Sequence, residues 1–295
     1  MSPIPLLWFG DGGHPWGRNW LLELLPPETT EIRRFDPGDT PEPVDNCIVC
    51  TNVSAGTAYI ESLRVHGCRF GVIVLSDECL LENTPYINDP NCVFLARNYV
   101  HPLILSHSKA FTFGLGWQNG FEAHASTKKK ASERKLKWGF AGSLKTDRAE
   151  ALNQLASIQP YETHIFKSFN DPLYLPPKEY AELLNECVFA PAPCGGASND
   201  SFRIYEALEA GVIPIVLKND TGLRIDPSYW HAVFLGETTL PFIVADTWSD
   251  AALRARAVLE SGLVDAVQES CIDFWQHWKQ NWKRMFELGV SRLSD

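Results

Sequence analysis

The chain has 295 residues, which at roughly 150 residues per domain indicates two domains or one large one. Apolar residues make up 45% and aromatic residues 12% of the sequence, and this composition excludes a chain that is disordered throughout. The formal net charge of −10 argues against a nucleic-acid backbone as the main partner, because counterion release requires a broad basic face.

The sequence also predicts a protein without a transmembrane segment. No stretch approaches ~18 consecutive apolar residues, and the first residues, MSPIPLLWFGDGGHP, lack the basic region and cleavage site of a signal peptide. The eight cysteines lie mostly in apolar, strand-like runs such as NCIVC and NCVFL, as reduced and buried thiols do. We therefore expect a cytoplasmic protein.

The first half of the chain alternates short apolar runs with stretches of helical period. Helices are predicted at 16–25, closed by two prolines, and at 55–66, closed by Gly67. The predicted strands are 4–9, 31–35, 47–52, 70–76 and 92–96. Such alternation predicts a parallel sheet covered by helices on both faces.

A change of composition follows at 126–137, STKKKASERKLK, which holds six basic side chains and one acidic one. A solvated linker between domains explains this segment, and a site for an anionic ligand is the alternative. The alternation then restarts. Strands are predicted at 137–141, 162–166, 188–193 and 213–217, and helices at 147–157, 177–187 and 201–210.

The last ~45 residues are predicted to be helical, at 249–261 and 263–288. Trp275, Trp278, Trp282 and Phe286 recur at spacings of three and four, which places them on one helix face. This spacing favours a stripe packed on the core, and a stacking platform for a sugar or a base is the alternative.

The elements together predict an α/β protein of two Rossmann-like domains that face each other across a cleft, with C-terminal helices. We expect an N-terminal Rossmann-like domain at 1–125, a basic linker at 126–137 and a C-terminal Rossmann-like domain at 138–262. A C-terminal helix at 263–295 is expected to pack back on the N-terminal domain. Ligands of open α/β sheets bind beyond the carboxyl ends of the strands, so candidate site residues are sought there.

The first strand exit is the glycine-rich segment WFGDGGHPWG. Gly12 and Gly13 permit close approach of a ligand to the backbone, and Asp11 and His14 lie in the same turn. Pro15 stands where the third glycine of a dinucleotide fingerprint belongs, which weakens the case for an NAD site. The segment is interpreted as a turn that lines the ligand cleft, with a purely structural turn as the alternative.

The fourth strand exit, VIVLSDECLLEN, places Asp77 and Glu78 at the end of an apolar strand. Partial desolvation of these two adjacent carboxylates would raise the pKa of one of them, and a carboxylate with a raised pKa is suited to act as a general base. Helix capping is the alternative role. Asp11 and His14 compete with them as candidates for the base.

Past the basic segment, WGFAGSLKTDR runs from a strand through Gly142 and Ser143 into a helix that carries Arg148. Backbone N–H groups at a helix start, together with a guanidinium, suit a diphosphate. A solvent-facing arginine is the alternative.

The most informative segment is VFAPAPCGGASNDSFRIYEALEAGVIPIV at 188–216, in which a buried strand ends in a glycine turn. The polar residues Ser198, Asn199 and Ser201 then precede a helix. Arg203 and Glu206 lie on one face near the positive end of its dipole. Such an arginine could neutralise a diphosphate and such a glutamate could bridge two ribose hydroxyls, unless the two form a surface ion pair.

The run APCGG…S-x-R-x-x-EAL-x-AG-x-IPIV, from Ala192 to Val216, resembles the C-terminal signature of the exostosin-like glycosyltransferases, glycosyltransferase family 47. FLARNY at 94–99 and FGLGWQNGF at 113–121 are similar to two further family elements, although Phe113 replaces the expected proline. With WGFAGSLKTDR, the resemblance covers roughly residues 90–217. Related nucleotide-sugar folds, including the α1,3-fucosyltransferases, end in a similar signature.

This resemblance implies a GT-B fold, a nucleoside-diphosphate-sugar donor in the second domain and inversion at the anomeric carbon. It implies that Arg203 contacts the diphosphate and Glu206 the ribose, with Ser198, Asn199 and Ser201 around the phosphates. Arg97 would lie near the domain interface. The donor nucleotide is expected to be UDP, and the acceptor a hydroxyl of a glycan or a small molecule.

No metal or other cofactor is expected, because no strand exit carries a D-x-D motif and the histidines show no ligand spacing. A non-catalytic protein that binds a nucleotide sugar or a glycan is the alternative function, and a nicotinamide-dependent oxidoreductase is a weaker one. The sequence does not predict the oligomeric state.

Overall fold

The chain folds into two α/β units in a computed structural model. The structure describes residues 3–10, 17–29, 31–52, 55–81, 84–105, 107–121, 129–168, 171–218, 229–237 and 239–294. Unit 1 comprises Met1–Gly114, Ala232–Leu235 and Lys279–Asp295, and unit 2 comprises Leu115–His231 and Gly236–Trp278. The first stretch of unit 1 thus ends at 114, whereas the sequence predicts a boundary at 125.

Unit 1 is built on a six-stranded parallel sheet. Its strands are β1 (Pro5–Phe9), β2 (Glu31–Phe35), β3 (Cys47–Asn52), β4 (Phe70–Leu75), β5 (Cys92–Arg97) and β6 (Ala110–Thr112). They are arranged in the order β2-β1-β3-β4-β5-β6. Five consecutive residues are buried in both β3 and β4, as expected of strands covered on both faces. The helices α1 (Arg18–Leu24) and α2 (Thr57–Val65) and 3₁₀ turns at Pro85–Asn88 and Pro102–Ile104 complete the first stretch.

Unit 2 contains a second parallel sheet, of five strands. They are β7 (Leu136–Gly142), β8 (Tyr161–Ile165), β9 (Cys187–Pro191), β10 (Ile213–Leu217) and β11 (Ile243–Ala245), in the order β11-β10-β9-β7-β8. Its helices are α3 (Arg148–Leu155), α4 (Pro177–Asn185), α5 (Phe202–Glu209) and α7 (Trp248–Glu260), and a 3₁₀ turn spans Ala131–Glu133. The predicted α/β architecture of two parallel sheets is confirmed.

Two helices, α6 (Tyr229–Val233) and α8 (Val264–Ser294), contribute residues to both units. The aromatic stripe of α8 is packed in the core, as its spacing predicts: Trp275, Trp278, Trp282 and Phe286 are all buried. In unit 1, the ring of Trp282 meets that of Trp20 edge-on at 5.9 Å, and Phe286 meets Phe111 at 5.1 Å. The last turns of α8 therefore close the core of unit 1.

Residues 129–137, part of the segment 126–137 that the sequence assigns to a solvated linker, belong to unit 2, and Ala131 and Arg134 among them are buried. Strand β7 starts at Leu136, and only 4% of Arg134 is exposed. The Arg134 guanidinium donates hydrogen bonds to five backbone carbonyl oxygens, those of Lys129, Leu184, Cys187, Ala210 and Gly211. Three of these carbonyls lie at the C-terminal ends of α4 and α5, where the helix dipole favours a cation. Burial lowers the pKa of Arg134 to about 10, so the side chain stays charged at neutral pH.

The three elements that the sequence analysis missed are β6, β11 and α6. They span three, three and five residues, which is too short for a hydrophobic period to be visible.

Within the described ranges, no helix is long and apolar enough to cross a membrane. All eight cysteines fall within those ranges and are free of disulfides, and six of them are buried. This agrees with the reduced, buried thiols that the sequence predicts.

We predict that Arg134→Met lowers the free energy of unfolding by about 3 kcal/mol, because several buried carbonyl groups lose their donor. Urea denaturation followed by tryptophan fluorescence measures the change. Lys135→Met is the matched control, since that neighbouring side chain is 78% exposed and its loss should cost about 0.5 kcal/mol or less. Equal destabilisation in the two variants would contradict the role given to Arg134.

Candidate functional site

The sheet of unit 2 has a topological switch point between β7 and β9. The chain leaves β7 towards β8 on one side and returns to β9 on the other side. In open parallel sheets, such a point forms a crevice at the carboxyl ends of the strands, and ligands bind there. The exits of β7 and β9 therefore form the candidate site of unit 2, and both carry residues that the sequence singles out.

Arg148 joins these two exits. Its guanidinium donates to the carbonyl oxygens of Cys194 and Gly195 at 2.9 and 3.0 Å on the β9 side. On the β7 side it donates to the carbonyl and hydroxyl oxygens of Ser143, both at 3.1 Å. The side chain is buried, and these contacts occupy its donors. The Arg148 guanidinium therefore holds together the two loops at which the sequence analysis expects a diphosphate.

The preceding residue, Asp147, extends this clamp. One carboxylate oxygen accepts from the backbone N–H of Cys194 at 3.1 Å, and the other accepts from the indole N–H of Trp248 at 2.8 Å. Trp248 is the first residue of α7, which follows β11. Asp147 thus ties the exit of β7 to those of β9 and β11, a role that the sequence analysis did not foresee.

The loop between β9 and α5 is held by a buried carboxylate. Asp200 accepts hydrogen bonds from the hydroxyl groups of Tyr205 at 2.9 Å and Tyr229 at 3.0 Å. The Ser198 hydroxyl accepts from the backbone N–H of Asp200 at 3.1 Å, so Ser198 shapes the loop from within. The conformation of residues 198–201 is therefore determined by the protein itself.

Two polar side chains of this loop are buried at the start of α5. Asn199 and Ser201 are each only 6% exposed, and Ser201, although it stands at the N-cap, does not cap the helix through its hydroxyl. Within the described part of the chain, neither Asn199 Oδ1 nor Ser201 Oγ has a hydrogen-bond partner. Such atoms are rare in native proteins, and at a helix N-terminus they indicate a position that binds a ligand.

Arg203 is the second residue of α5, and its side chain reaches the exit of β7. Its Nε and Nη2 both donate to the carbonyl oxygen of Ala141, at 3.2 and 3.0 Å, and its Cζ lies 5.0 Å from the ring centroid of Phe140. A Cβ atom at Gly142 would come within 2.4 Å of Nη2. Gly142 therefore has a steric function, because any larger residue would displace the guanidinium from the strand exit.

Glu206 is a buried carboxylate on the same helix, with 2% of the residue exposed. Burial raises its pKa to about 7, while the charge of Arg203 and a hydrogen bond from the backbone N–H of Gln118 lower it. The Gln118 nitrogen lies 3.3 Å from Oε1. The alternative role, a surface ion pair of Arg203 and Glu206, does not describe this geometry, since Arg203 binds the Ala141 carbonyl and Glu206 is buried.

In unit 1, the structure corrects the general-base assignment of Asp77. Its carboxylate forms an ion pair with the Arg97 guanidinium at 2.9 Å, and neither side chain is exposed. The other carboxylate oxygen accepts from the backbone N–H of Leu81 at 2.8 Å. A fully buried carboxylate with both oxygens engaged cannot take a proton from a substrate. The pair instead links the exits of β4 and β5, since Arg97 also donates to the Tyr99 carbonyl.

Glu78, the neighbouring candidate, is half-buried in the turn that follows β4. The backbone around it departs from ordinary conformations: Ser76 and Tyr99, just beyond β4 and β5, have φ values of 59° and 62°. Left-handed backbone at residues other than glycine costs free energy and is concentrated at functional sites. Of the two adjacent carboxylates, Glu78 is the one that solvent reaches.

The candidates of the glycine-rich turn, Asp11, Gly12, Gly13 and His14, lie outside the described residues. Just before them, Gly10 has a φ of 133°, and a Cβ atom there would come within 2.8 Å of Asn52 Oδ1. Gly10 therefore lets the exits of β1 and β3 lie close together. Across the described ranges, no group of three histidine, cysteine or acidic side chains is arranged to hold a metal ion.

No protein-family model matches the chain, and no curated protein does either. Solved structures do resemble it. HepE (Alr3699) of Anabaena, solved with UDP, is 10% identical, with a TM-score of 0.61 over 99% of this chain and 100% of that one. An α1,3-fucosyltransferase, solved with GDP, is 12% identical, with a TM-score of 0.52 over 99% of this chain and 92% of that one. At these identities the likeness concerns the fold, which is of the GT-B type.

We predict that the free energy of unfolding falls as the pH rises from about 4.5 to about 7, in part through Glu206. The folded protein holds the Glu206 proton over this range and the unfolded chain does not, so deprotonation destabilises the folded state. Glu206→Gln should remove this pH-dependent contribution to the free energy of unfolding. At pH 8 the variant should therefore be more stable than the parent, by on the order of 3 kcal/mol.

Urea denaturation between pH 5 and 8.5 measures the effect of Glu206→Gln. Glu179→Gln, at an exposed position of α4, is the control. A pH dependence that stays the same in Glu206→Gln would contradict the assignment.

Proposed function

We propose that this protein is an inverting, metal-independent glycosyltransferase. It would move a sugar from a nucleoside-diphosphate donor, for which UDP is the first candidate nucleotide, to a hydroxyl of a glycan or a small molecule. The observation that carries the proposal is the start of α5, where Asn199 Oδ1 and Ser201 Oγ are buried without partners among the described residues and Arg203 is the second residue of the helix. HepE was solved with UDP and the fucosyltransferase with GDP, and their shared fold supports a nucleoside-diphosphate ligand.

The donor site of this proposal lies within unit 2. The N-terminus of α5 and the Arg203 guanidinium provide positive charge for the diphosphate, which gains negative charge as the bond to the sugar breaks. Glu206 accepts hydrogen bonds from the two vicinal hydroxyls of the ribose when it is ionised. Metal independence is part of the proposal, because the fixed charges of α5 would take the place of a cation and no strand exit carries a D-x-D motif.

In the proposed reaction, the acceptor oxygen attacks the anomeric carbon opposite the leaving group. The bond from that carbon to the diphosphate oxygen breaks and its electron pair leaves with the nucleotide, so the configuration inverts. The acceptor proton passes to a carboxylate, for which we propose Glu78, with Asp11 as the second candidate. Asp77 and Arg97 would act as positioning residues that hold the turn around Glu78.

The affiliation with the exostosin-like family and the cytoplasmic location are finer parts of the same proposal. The first is supported by the motifs at 94–99, 113–121 and 188–216, and the second by the reduced cysteines.

We predict that Arg203→Ala lowers kcat by roughly 100- to 1000-fold, because one preorganised donor to the leaving group is lost. A transfer assay with UDP-sugars and GDP-sugars against a panel of glycan acceptors measures this. Arg254→Ala, at a surface arginine that pairs only with Asp250 among the described residues, is the control and should turn over normally. Full turnover of Arg203→Ala would remove the assignment.

We further predict that Glu78→Gln lowers kcat by roughly 100-fold or more while nucleotide affinity stays unchanged, since a base acts only on the acceptor proton. Steady-state kinetics and calorimetry with UDP separate the two effects. If Glu78→Gln is fully active, Asp11→Asn becomes the test of the base.

The non-catalytic alternative predicts a different outcome for the protein without substitutions. It would bind UDP or GDP, yet it would neither transfer nor slowly hydrolyse any sugar of the panel.

A further inference from the structure

Tyr180, on α4, carries a buried polar group that the proposed function does not use. The residue is 6% exposed and its hydroxyl oxygen is fully buried, yet no hydrogen bond reaches that oxygen from the described residues. Leaving a hydroxyl unsatisfied in the interior costs free energy, so such a group calls for an explanation. A ligand that completes its hydrogen bonds is one explanation that can be tested.

The Tyr180 hydroxyl shares its surroundings with the proposed ribose-binding group. Burial raises the pKa of the Tyr180 hydroxyl. The charge of Glu206 raises this pKa further and the charge of Arg203 lowers it, so both side chains influence the hydroxyl. Burial, and then the charge of Glu206, raise the pKa of Tyr174, whose hydroxyl lies 3.5 Å from Gln118 Oε1.

The ring of Tyr180 lies 6.2 Å from that of Phe121. The backbone N–H of Phe121 donates to the Gln118 carbonyl at 3.0 Å, and the N–H of Gln118 donates to Glu206. Tyr180 and Glu206 therefore pack against the same short segment of the chain, 118–121.

The two side chains have complementary hydrogen-bonding capacity. An ionised carboxylate only accepts hydrogen bonds, whereas a phenol donates one and accepts others. A vicinal pair of hydroxyls presents two donors and two acceptors. Its donors can be received by Glu206, and one of its oxygens can accept the proton of Tyr180. A sugar that lacks one of the two hydroxyls would leave Tyr180 unsatisfied inside the protein.

We infer that Tyr180 is a specificity-determining residue, whose hydroxyl binds the ribose diol beside Glu206 and makes the site select ribonucleotides over 2′-deoxyribonucleotides. This inference rests on the proposed nucleotide site in unit 2. A site built to bind a hydroxyl discriminates strongly against a ligand without it, because its own polar groups are then left buried and unpaired.

The test is calorimetric titration with UDP and GDP and with their 2′-deoxy counterparts. The unsubstituted protein should bind the ribonucleotide at least about tenfold more tightly. Tyr180→Phe should weaken ribonucleotide binding by about five- to tenfold and leave deoxyribonucleotide binding nearly unchanged. Tyr161→Phe, at a tyrosine of β8 that stacks on Trp138 at 4.3 Å, is the matched control and should keep the full discrimination.

Thermal unfolding of the same variants distinguishes a binding role from a structural one. Because the hydroxyl has no partner in the described protein, Tyr180→Phe should melt at the same temperature as the parent or higher. A large fall in melting temperature, or an unchanged preference for ribonucleotides, would overturn the inference. Equal affinity of the parent for ribo- and deoxyribonucleotides would also overturn it and leave the proposed function standing. Failure of the parent to bind UDP or GDP would count against the proposed function itself.

Discussion

The candidate site of unit 2 depends on one interaction, the bridge that Asp147 and Arg148 form between strand exits. Parallel strands end in loops that have no ladder to hold them, and two such loops must keep a fixed separation if a ligand is to bind between them. Here a guanidinium binds carbonyl oxygens on both sides, and the neighbouring carboxylate binds the N–H of Cys194 and the indole of Trp248. The glycine turn of β9 and the start of α5 are thereby held in place without a contribution from the ligand.

Helix α5 connects this site to the interior of unit 2. Its N-terminus carries the unpaired polar atoms of Asn199 and Ser201, and its C-terminal carbonyls are bound by Arg134. A cation at the C-terminal end and an anion at the N-terminal end both match the helix dipole. Arg134 therefore interacts favourably with the α5 dipole from one end, as an anionic ligand would from the other end. The interaction of Arg134 exists before any ligand binds.

The sequence predicts most of the fold and the strand exits from which the candidate site is built, but not the contacts of individual charged side chains. Long apolar periods predict the strands and helices well, while β6 and β11, with three residues each, carry no period. Arg203 and Glu206 were recognisable because a glycine turn precedes their helix. The contacts of Arg148 and Asp77 are not predictable from the sequence because their partners are remote in the chain, a backbone carbonyl 46 residues away for Arg148 and a guanidinium 20 residues away for Asp77. Such partners leave no local signature.

The shared helix α8 has a consequence for the order in which the protein can mature on the ribosome. Trp282 and Phe286, which pack against Trp20 and Phe111, are synthesised at least 170 residues after β6, the last strand of the sheet in unit 1. Unit 2 draws its last segment from residues up to Trp278, so it is synthesised before the final turns of α8. The apolar face of the amino-terminal sheet therefore stays exposed to solvent during translation, and we expect chaperones to bind it in that period.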